Sequence, residues 1–136
     1  MELMRSIMIA ASGLKAQSGR MRVIAENIAN AESTASTPGG DPYRRKIPTF
    51  KTELDRELGG QIIELGRVER DRSDFRREYD PGNPAADADG YVKRPNVNSL
   101  VEQMDMRDAQ RAYEANLNVV GAARRMISRT LDILRG

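Results

Sequence analysis

Residues 99–134, SLVEQMDMRDAQRAYEANLNVVGAARRMISRTLDIL, carry the pattern that decides the fold. Large apolar or aromatic side chains recur every seven residues, and a row of smaller residues lies three positions after each of the first four. The large row is Met106, Tyr113, Val120, Ile127 and Leu134, and the smaller row is Ala109, Asn116, Ala123 and Thr130. Sustained seven-residue spacing is typical of a helix whose apolar stripe follows a partner helix. The stretch therefore predicts one long helix from about residue 99 to residue 134.

The N-terminal end of the chain repeats this pattern. Its two rows are Ile7, Leu14, Met21 and Ile28, and then Ala10, Gln17, Ile24 and Ala31. They predict a helix over residues 3 to about 32, in which Gly13 costs about 1 kcal/mol relative to Ala and is tolerable where another backbone comes close. Two such helices can close into an antiparallel hairpin, because the entropic cost of closing a loop grows only with the logarithm of its length.

Two positions of the predicted seam are polar. Gln17 and Asn116 stand where the repeat otherwise takes apolar residues. Polar residues at such positions lower stability but fix the register and the number of partner helices. The alternative is that both side chains face solvent at the edge of the stripe, and the sequence leaves the two interpretations open.

The middle of the chain favours short extended segments. Residues 62–70 alternate partly between apolar and polar side chains and predict a strand, as do residues 74–79, and residues 91–92 add a third short piece. Residues 52–58 suit either a short helix or a disordered stretch. Turn-forming residues lie at Gly59–Gly60 and over residues 80–84.

These segments give a three-part division of the chain. An N-terminal helix occupies residues 1–32, a loop with a small β-rich insert occupies residues 33–98, and the C-terminal helix occupies residues 99–136. Asn98 or Ser99 is the expected cap of the second helix, because a short polar side chain accepts a bond from a free helical N–H. The predicted fold class is mainly α, with a coiled-coil-like hairpin of terminal helices.

The composition argues against an enzyme. The 136 residues include no Cys, His or Trp, which removes thiolate nucleophiles, zinc–sulfur sites and the usual general base. The 22 basic and 20 acidic residues nearly cancel, so the charge does not indicate a nucleic-acid-binding protein. Aromatic residues make up only 4%, which is low for an independent core and indicates that the chain completes its burial with another molecule.

Two local motifs are candidate binding sites. Arg44-Arg45-Lys46 could contact phosphate or an anionic membrane, but three charges are few, and acidic side chains of a neighbouring subunit fit better. The stretch Asp87-Ala88-Asp89-Gly90 resembles the start of a calcium loop. The twelfth position counted from Asp87 is Asn98, whereas an EF-hand requires Glu there, so the stretch favours a turn and we expect no metal and no cofactor.

The N-terminal sequence does not have the pattern of a secretory signal. Its longest apolar run, residues 7–11, is five residues long, whereas a signal needs roughly 7–15. Nothing in the chain approaches the roughly 18 apolar residues of a membrane span. We therefore expect either a cytoplasmic protein or one that is exported without cleavage.

Several residue strings resemble a known family. Residues 11–17 (ASGLKAQ) and 27–31 (NIANA) are similar to the N-terminal signature of bacterial flagellar axial proteins, which include rod and hook subunits, and residues 111–116 (RAYEAN) are similar to their C-terminal signature. Three interior strings, residues 40–46, 87–92 and 95–98, resemble the proximal-rod branch, and the short middle region fits that branch too. The likeness covers most of the chain and is weakest over residues 51–80.

The resemblance implies a structural subunit of the flagellar basal-body rod that transmits torque across the periplasm. Its implied partners are copies of itself, other rod proteins, the MS-ring or rod-adaptor proteins and the flagellar type III export apparatus, with no cleaved signal, no nucleic acid and no membrane insertion. The expected subunit-interface residues are Ile7, Leu14, Met21, Ile24, Asn27, Ile28, Asn30, Tyr113, Asn116, Val120, Ile127 and Leu134. Three alternatives remain: another axial protein of the rod, a secreted type III translocator or effector that engages a membrane, and a nucleic-acid adaptor based on the eighteen Arg residues.

Overall fold

Two long helices stand at the ends of the chain, and six short strands lie between them in sequence. The computed structural model describes residues 2–136. The helices are α1 (Glu2–Ala29) and α2 (Ser99–Arg135). The strands are β1 (Lys46–Ile47), β2 (Phe50–Asp55), β3 (Gly60–Leu65), β4 (Glu69–Arg70), β5 (Arg76–Tyr79) and β6 (Tyr91–Arg94). The predicted helical class with a small strand-containing middle is confirmed.

Local hydrogen bonds fix the inner ends of both helices. At the end of α1, the Asn30 side chain donates to the Glu26 carbonyl at 2.8 Å, and the chain then turns through Ser33. At the start of α2, the Asn98 Oδ1 accepts from the backbone N–H groups of Leu100 at 3.1 Å and Val101 at 3.4 Å. Asn98 rather than Ser99 is therefore the cap, because its side chain satisfies two N–H groups of the first turn.

The strands pair as three antiparallel two-stranded ribbons, β1 with β4, β2 with β3 and β5 with β6. The prediction of a short helix or disorder over residues 52–58 was wrong, since residues 50–55 form β2 and residues 56–59 form the turn. Gly59 has φ +63° in that turn, a conformation that glycine adopts without strain. Six residue pairs between β2 and β3 hold this segment as a strand, and pairing between strands is not visible in the sequence of one segment alone.

The other strands differ from expectation mainly in their bounds. The strand predicted over residues 62–70 is two strands, β3 and β4, because the chain leaves the β2–β3 ribbon after Gly66. The strand expected from residue 74 begins at Arg76, and the last one extends to Arg94. The two-residue β1 carried no recognisable signal, since so short a strand exists only through its pairing with β4.

The chain forms two compact units, and each contains a part of both helices. We call residues 2–21, 48–67 and 107–136 the helical unit, and residues 22–47 and 68–106 the network unit. In the helical unit, the β2–β3 ribbon lies beside α1: Leu65 packs at Gly19, and the backbone N–H of Ile63 donates to the Ser12 Oγ at 3.4 Å.

Small residues occupy the deepest positions between the two helices. In the helical unit, Ala10, Ala16, Ala109 and Ala123 are buried. The larger side chains of the predicted rows that flank them are only half-buried, and Leu134 is exposed. Short side chains at the centre of the seam let two helices approach closely. Much of the apolar area of the larger residues therefore stays available for other contacts.

Candidate functional site: assembly surfaces of the helical hairpin

The helices α1 and α2 come close together at Gly13 in the helical unit. A Cβ atom added to Gly13 would stand 2.7 Å from the Asn116 Nδ2, a distance shorter than the contacts that Cβ atoms make in real proteins. The Asn116 side chain is held there, because its Nδ2 donates to the Ala112 carbonyl at 3.1 Å. Asn116 therefore lies within the helix seam and not at its solvent edge. Gln17, by contrast, is half-buried and accepts a long bond of 3.5 Å from Arg20 on its own helix.

A second apolar stripe runs along an exposed face of α2. Its members share burial fractions well below those of the seam, and at 100° per residue they fall within about 60° of one another around the helix axis. Met126 is 55% exposed and Ile133 is 79% exposed. The stripe, which we call the α2 outer stripe, lies in the helical unit and consists of Val119, Met126 and Ile133. A helix with two apolar faces can pack against two different partners.

An apolar groove opens between the outer ends of the helices in the helical unit. It encloses about 480 Å³ and is lined by the first turn of α1 and the last turns of α2. The lining residues are Glu2, Leu3, Met4, Ile127, Thr130, Leu131 and Leu134. Leu134 is 77% exposed although it belongs to the predicted interface row. A cluster of solvent-exposed apolar side chains such as this one is typical of surfaces that another protein covers.

The network unit is held by a buried polar cluster instead. Glu102 and Asn27 are both 0% exposed. The Asn27 side chain donates to the Glu102 Oε2 at 3.2 Å and to the Lys46 carbonyl at 2.8 Å, while its Oδ1 accepts from the Tyr43 hydroxyl at 2.7 Å. The Arg45 Nε donates to the Glu102 Oε1. These bonds tie the segment 43–46 to both helices, so the buried carboxylate is paired and hydrogen-bonded.

Further bonds extend this cluster to the strand region. Arg45 also pairs with Asp71 at 3.4 Å, and the Asn96 Oδ1 accepts from the Arg45 backbone N–H at 2.7 Å. Hydrogen bonds from the backbone and hydroxyl of Ser73 lower the pKa of Asp71, and Arg45 adds to this effect. Burial raises the pKa of Tyr43, with smaller contributions from the charges of Glu26 and Glu102. Arg45 gains more from its carboxylate partners than it loses by burial, so its pKa is raised.

The expected interface residues have different environments. Ile24 and Asn27 are buried inside the network unit, and Asn30 bonds within the last turn of α1. These contacts within the chain do not test whether the same residues also contact another subunit. Ile7, Leu14, Met21, Ile28, Tyr113, Val120 and Ile127 are half-buried, which leaves each of them surface to offer to a neighbour.

Sequence reasoning missed Glu102 and Arg45 as partners. A signal for the position of Glu102 exists, because extending the row of small residues back by one heptad from Ala109 leads to residue 102. The basic cluster Arg44-Arg45-Lys46 was expected to meet a neighbouring subunit. All three residues have partners within the chain, and contact with a neighbouring subunit stays a prediction. Arg44 stacks on the Phe75 ring at 4.2 Å and Lys46 pairs with Glu26 at 2.9 Å.

Two other classes of site receive no support from the part of the chain that is described. Among residues 2–136, no group of three or more acidic residues is placed to hold a metal ion. No helix within the same range has the length and apolar character to span a bilayer. Among the described residues, the candidate binding surfaces are therefore the α2 outer stripe and the apolar groove at the helix ends.

The fold and its surfaces define a class of protein: a helical-hairpin subunit with unfilled apolar helix faces. Comparison with known sequences identifies the family. Residues 7–36 match the model of the flagella basal body rod protein family, and residues 88–133 match that of the C-terminal region of flagellar basal body rod FlgEFG proteins. The two matched regions contain most of α1 and α2.

Curated relatives narrow the family further. The chain is 54% identical to the flagellar basal-body rod protein FlgC of Agrobacterium fabrum, over 93% of this chain and 91% of that protein. It is 40% identical to FlgC of Borreliella burgdorferi over the full length of both, and 38% identical to FlgC of Salmonella typhimurium over 98% of both. The chain belongs to the FlgC family of flagellar basal-body rod proteins.

Proposed function

We propose that this protein is a structural subunit of the proximal rod of the flagellar basal body, with no catalytic role. The observation that carries the proposal is the α2 outer stripe, which remains exposed after α2 has packed against α1. In a helical assembly, each subunit uses one surface to meet a different surface on the next, and such contacts repeat without closing. The α2 outer stripe and the groove at the helix ends supply surfaces of this kind.

The proposed interface combines the stripe with the half-buried row. Side chains such as Val120 and Ile127 take part in the α1–α2 seam and still expose part of their surface. A neighbouring helix that packs on the α2 outer stripe would also cover these flanks. Close-packed helices resist deformation because protein interiors are dense, which suits a shaft that transmits torque.

Membership of the FlgC family supports a proposal for the location and the remaining partners. We propose that the protein resides in the periplasmic rod, that it is exported through the flagellar type III apparatus without a cleaved signal, and that it contacts copies of itself, other rod proteins and the MS-ring or rod-adaptor proteins. The membrane-active translocator remains the alternative. Binding of the purified protein to liposomes would favour that alternative.

A charge placed on the α2 outer stripe tests the proposal. Met126→Asp, expressed in a strain that lacks the gene, should abolish motility and leave basal bodies without this subunit. Because Met126 is exposed, we expect the purified variant to keep the helicity and thermal midpoint of the wild type. Gln110→Asp is the matched control, since residue 110 is exposed on a different face of the same helix and the change introduces the same charge.

A second variant probes the inner seam. Val120→Asp should also abolish rod incorporation while synthesis continues, but here the hairpin itself is weakened because Val120 is half-buried. Normal swimming with Met126→Asp in the presence of a folded subunit would contradict the proposed interface.

A further inference from the structure

The β2 strand is a free edge whose backbone groups are available for pairing. Its ribbon continues the register Phe50–Leu65 to Thr49 and Gly66, where the Gly66 N–H donates to the Thr49 carbonyl at 2.6 Å. In an antiparallel pair, hydrogen-bonded and non-hydrogen-bonded residue pairs alternate. Odd-numbered residues of β2 therefore bond to β3, and the N–H and C=O groups of Phe50, Thr52 and Leu54 point away from it.

The opposite strand confirms this alternation. Ile63 pairs with Thr52, and its N–H turns outward to the Ser12 Oγ. The outer edge of β3 is thus used by α1, while the outer edge of β2 is not. Across the described residues 2–136, β2 pairs with no strand except β3, and five of its six residues are exposed. Six backbone groups are left in a row, which is the arrangement that another strand can pair with.

The side chains of β2 complement a second copy of the same strand. If two β2 strands lie antiparallel with Thr52 opposite Thr52, then Phe50 stands opposite Leu54 and Lys51 stands opposite Glu53, each of them twice. Phe50 is 38% exposed and Leu54 is 61% exposed, so both have apolar surface to bury. Cross-strand apolar pairs and opposite charges each contribute about 0.2–1 kcal/mol.

Other registers fail on charge or length. Outward-pointing backbone groups of the two copies meet when the pair is centred on any residue from 50 to 54. Centring the pair on Lys51 or on Glu53 would place that charged residue opposite its own copy. Centring the pair on Leu54 would oppose Glu53 and Asp55, which are both acidic. Centring it on Phe50 loses the Lys51–Glu53 pairs. The register centred on Thr52 therefore combines six backbone hydrogen bonds with favourable side-chain pairs.

We propose that free subunits form a two-fold dimer through their β2 strands. The contact is isologous, with the same surface on both copies, and so differs from the repeating contacts of a helical rod. It does not rest on the proposed rod function. The contact area is small, so the dimer is weak and depends on protein concentration. The alternative is that Lys51 and Glu53 act as charges that keep the edge unpaired.

Charge-reversal variants distinguish a β2-mediated dimer from an edge that its charges keep unpaired. Lys51→Glu places acidic residues opposite each other in a pair of identical copies, and Glu53→Lys places basic residues opposite each other. An equimolar mixture of the two variants restores both opposite-charge pairs between unlike copies. In sedimentation equilibrium, we expect the wild type to approach twice the subunit mass as concentration rises, each variant alone to stay monomeric, and the mixture to recover dimers.

The mixture also controls for damage within one subunit. Lys51 pairs with Glu64 of its own ribbon at 3.3 Å, so Lys51→Glu could weaken the ribbon itself. Mixing does not repair that loss, whereas it does repair a dimer contact. Met126→Asp should leave dimerisation unchanged, because it alters the helix face. A wild type that stays monomeric at the highest soluble concentration, dimers formed by either variant alone, or a mixture without dimers would overturn the proposal.

Discussion

The two units of this chain are stabilised in opposite ways. The network unit encloses paired charges and amides, and its buried Glu102 and Asn27 have hydrogen-bond partners on other segments. The helical unit instead packs small residues along its seam and leaves Met126, Leu131 and Leu134 open. The first satisfies its polar groups internally, while the second has apolar surface that a neighbour can still bury.

This difference indicates that the two units have different roles, one in folding and the other in assembly. A buried ion pair costs desolvation energy and specifies which segments meet, so the network unit fixes the segment 43–46 on the helices. An apolar helix face is not directional and gains free energy with any matching partner. We therefore expect changes in the network unit to act on folding and changes on the exposed helix face to act on assembly.

The largest effect on stability is expected at the buried carboxylate. Glu102→Ala leaves Arg45 half-buried beside fewer charges and leaves an Asn27 donor without its acceptor, so the free energy of unfolding should fall by about 3–5 kcal/mol. Denaturant unfolding followed by circular dichroism measures the loss.

An exposed ion pair provides the control for that variant. Lys93→Ala removes the contact with Asp41 at 3.1 Å, which lies at the surface, so the free energy of unfolding should change by less than about 1 kcal/mol. Equal losses for Glu102→Ala and Lys93→Ala would contradict the structural role of the cluster.

An intermediate effect is expected at the helix crossing. Gly13→Val forces side-chain atoms into Asn116 and should cost about 1–3 kcal/mol of unfolding free energy. Combining Gly13→Ala with Asn116→Ala removes the clash while Ala favours the helix, so the double variant should lose less than Gly13→Val. If Gly13→Val unfolds at the same denaturant concentration as the wild type, the close approach at Gly13 is refuted.

A small effect on stability is expected on the α2 outer stripe. Met126→Asp should change the free energy of unfolding by no more than about 0.5 kcal/mol, because the residue is exposed in the subunit. The same thermal or denaturant scan used for Glu102→Ala supplies the comparison. A loss similar to that of Glu102→Ala would show that the stripe belongs to the core of the subunit.

The smallest effect concerns acid stability. Because the pKa of Asp71 is lowered in the folded protein, its contribution is present above the pKa of the unfolded chain and is lost as pH falls through the folded pKa. Asp71→Asn should flatten the decline in unfolding free energy below about pH 5, where the carboxyl of the unfolded chain begins to take up a proton. An unchanged slope would exclude Asp71 as a contributor, and Asp87→Asn serves as a comparison, since hydrogen bonding from the Tyr91 backbone also lowers the pKa of Asp87.

The helices were predictable because their signal is local. Heptad rows on each side specify α1 and α2 to within a few residues, and Asn98 is a recognisable cap. The strand β2 was missed although Phe50, Thr52 and Leu54 alternate with charged residues. Glu, Leu and Arg in residues 53–58 also favour a helix, and only the pairing with β3, which is not visible in a single segment, decides between the two.

The polar cluster illustrates the same limit. The heptad rows point to residue 102 as a buried position, but its partner Arg45 lies 57 residues away in sequence. The heptad spacing predicts that residue 102 is buried, but it does not predict which residue contacts it. Which apolar residues meet another subunit is likewise a property of the assembly.

The most direct test of the central claim is a density map of an intact basal body at side-chain resolution. The account predicts that Val119, Met126 and Ile133 are covered by a helix of a neighbouring rod subunit while α1 and α2 of the same chain remain packed together. A map in which that face of α2 is open to solvent, or in which the two helices lie apart, would contradict it.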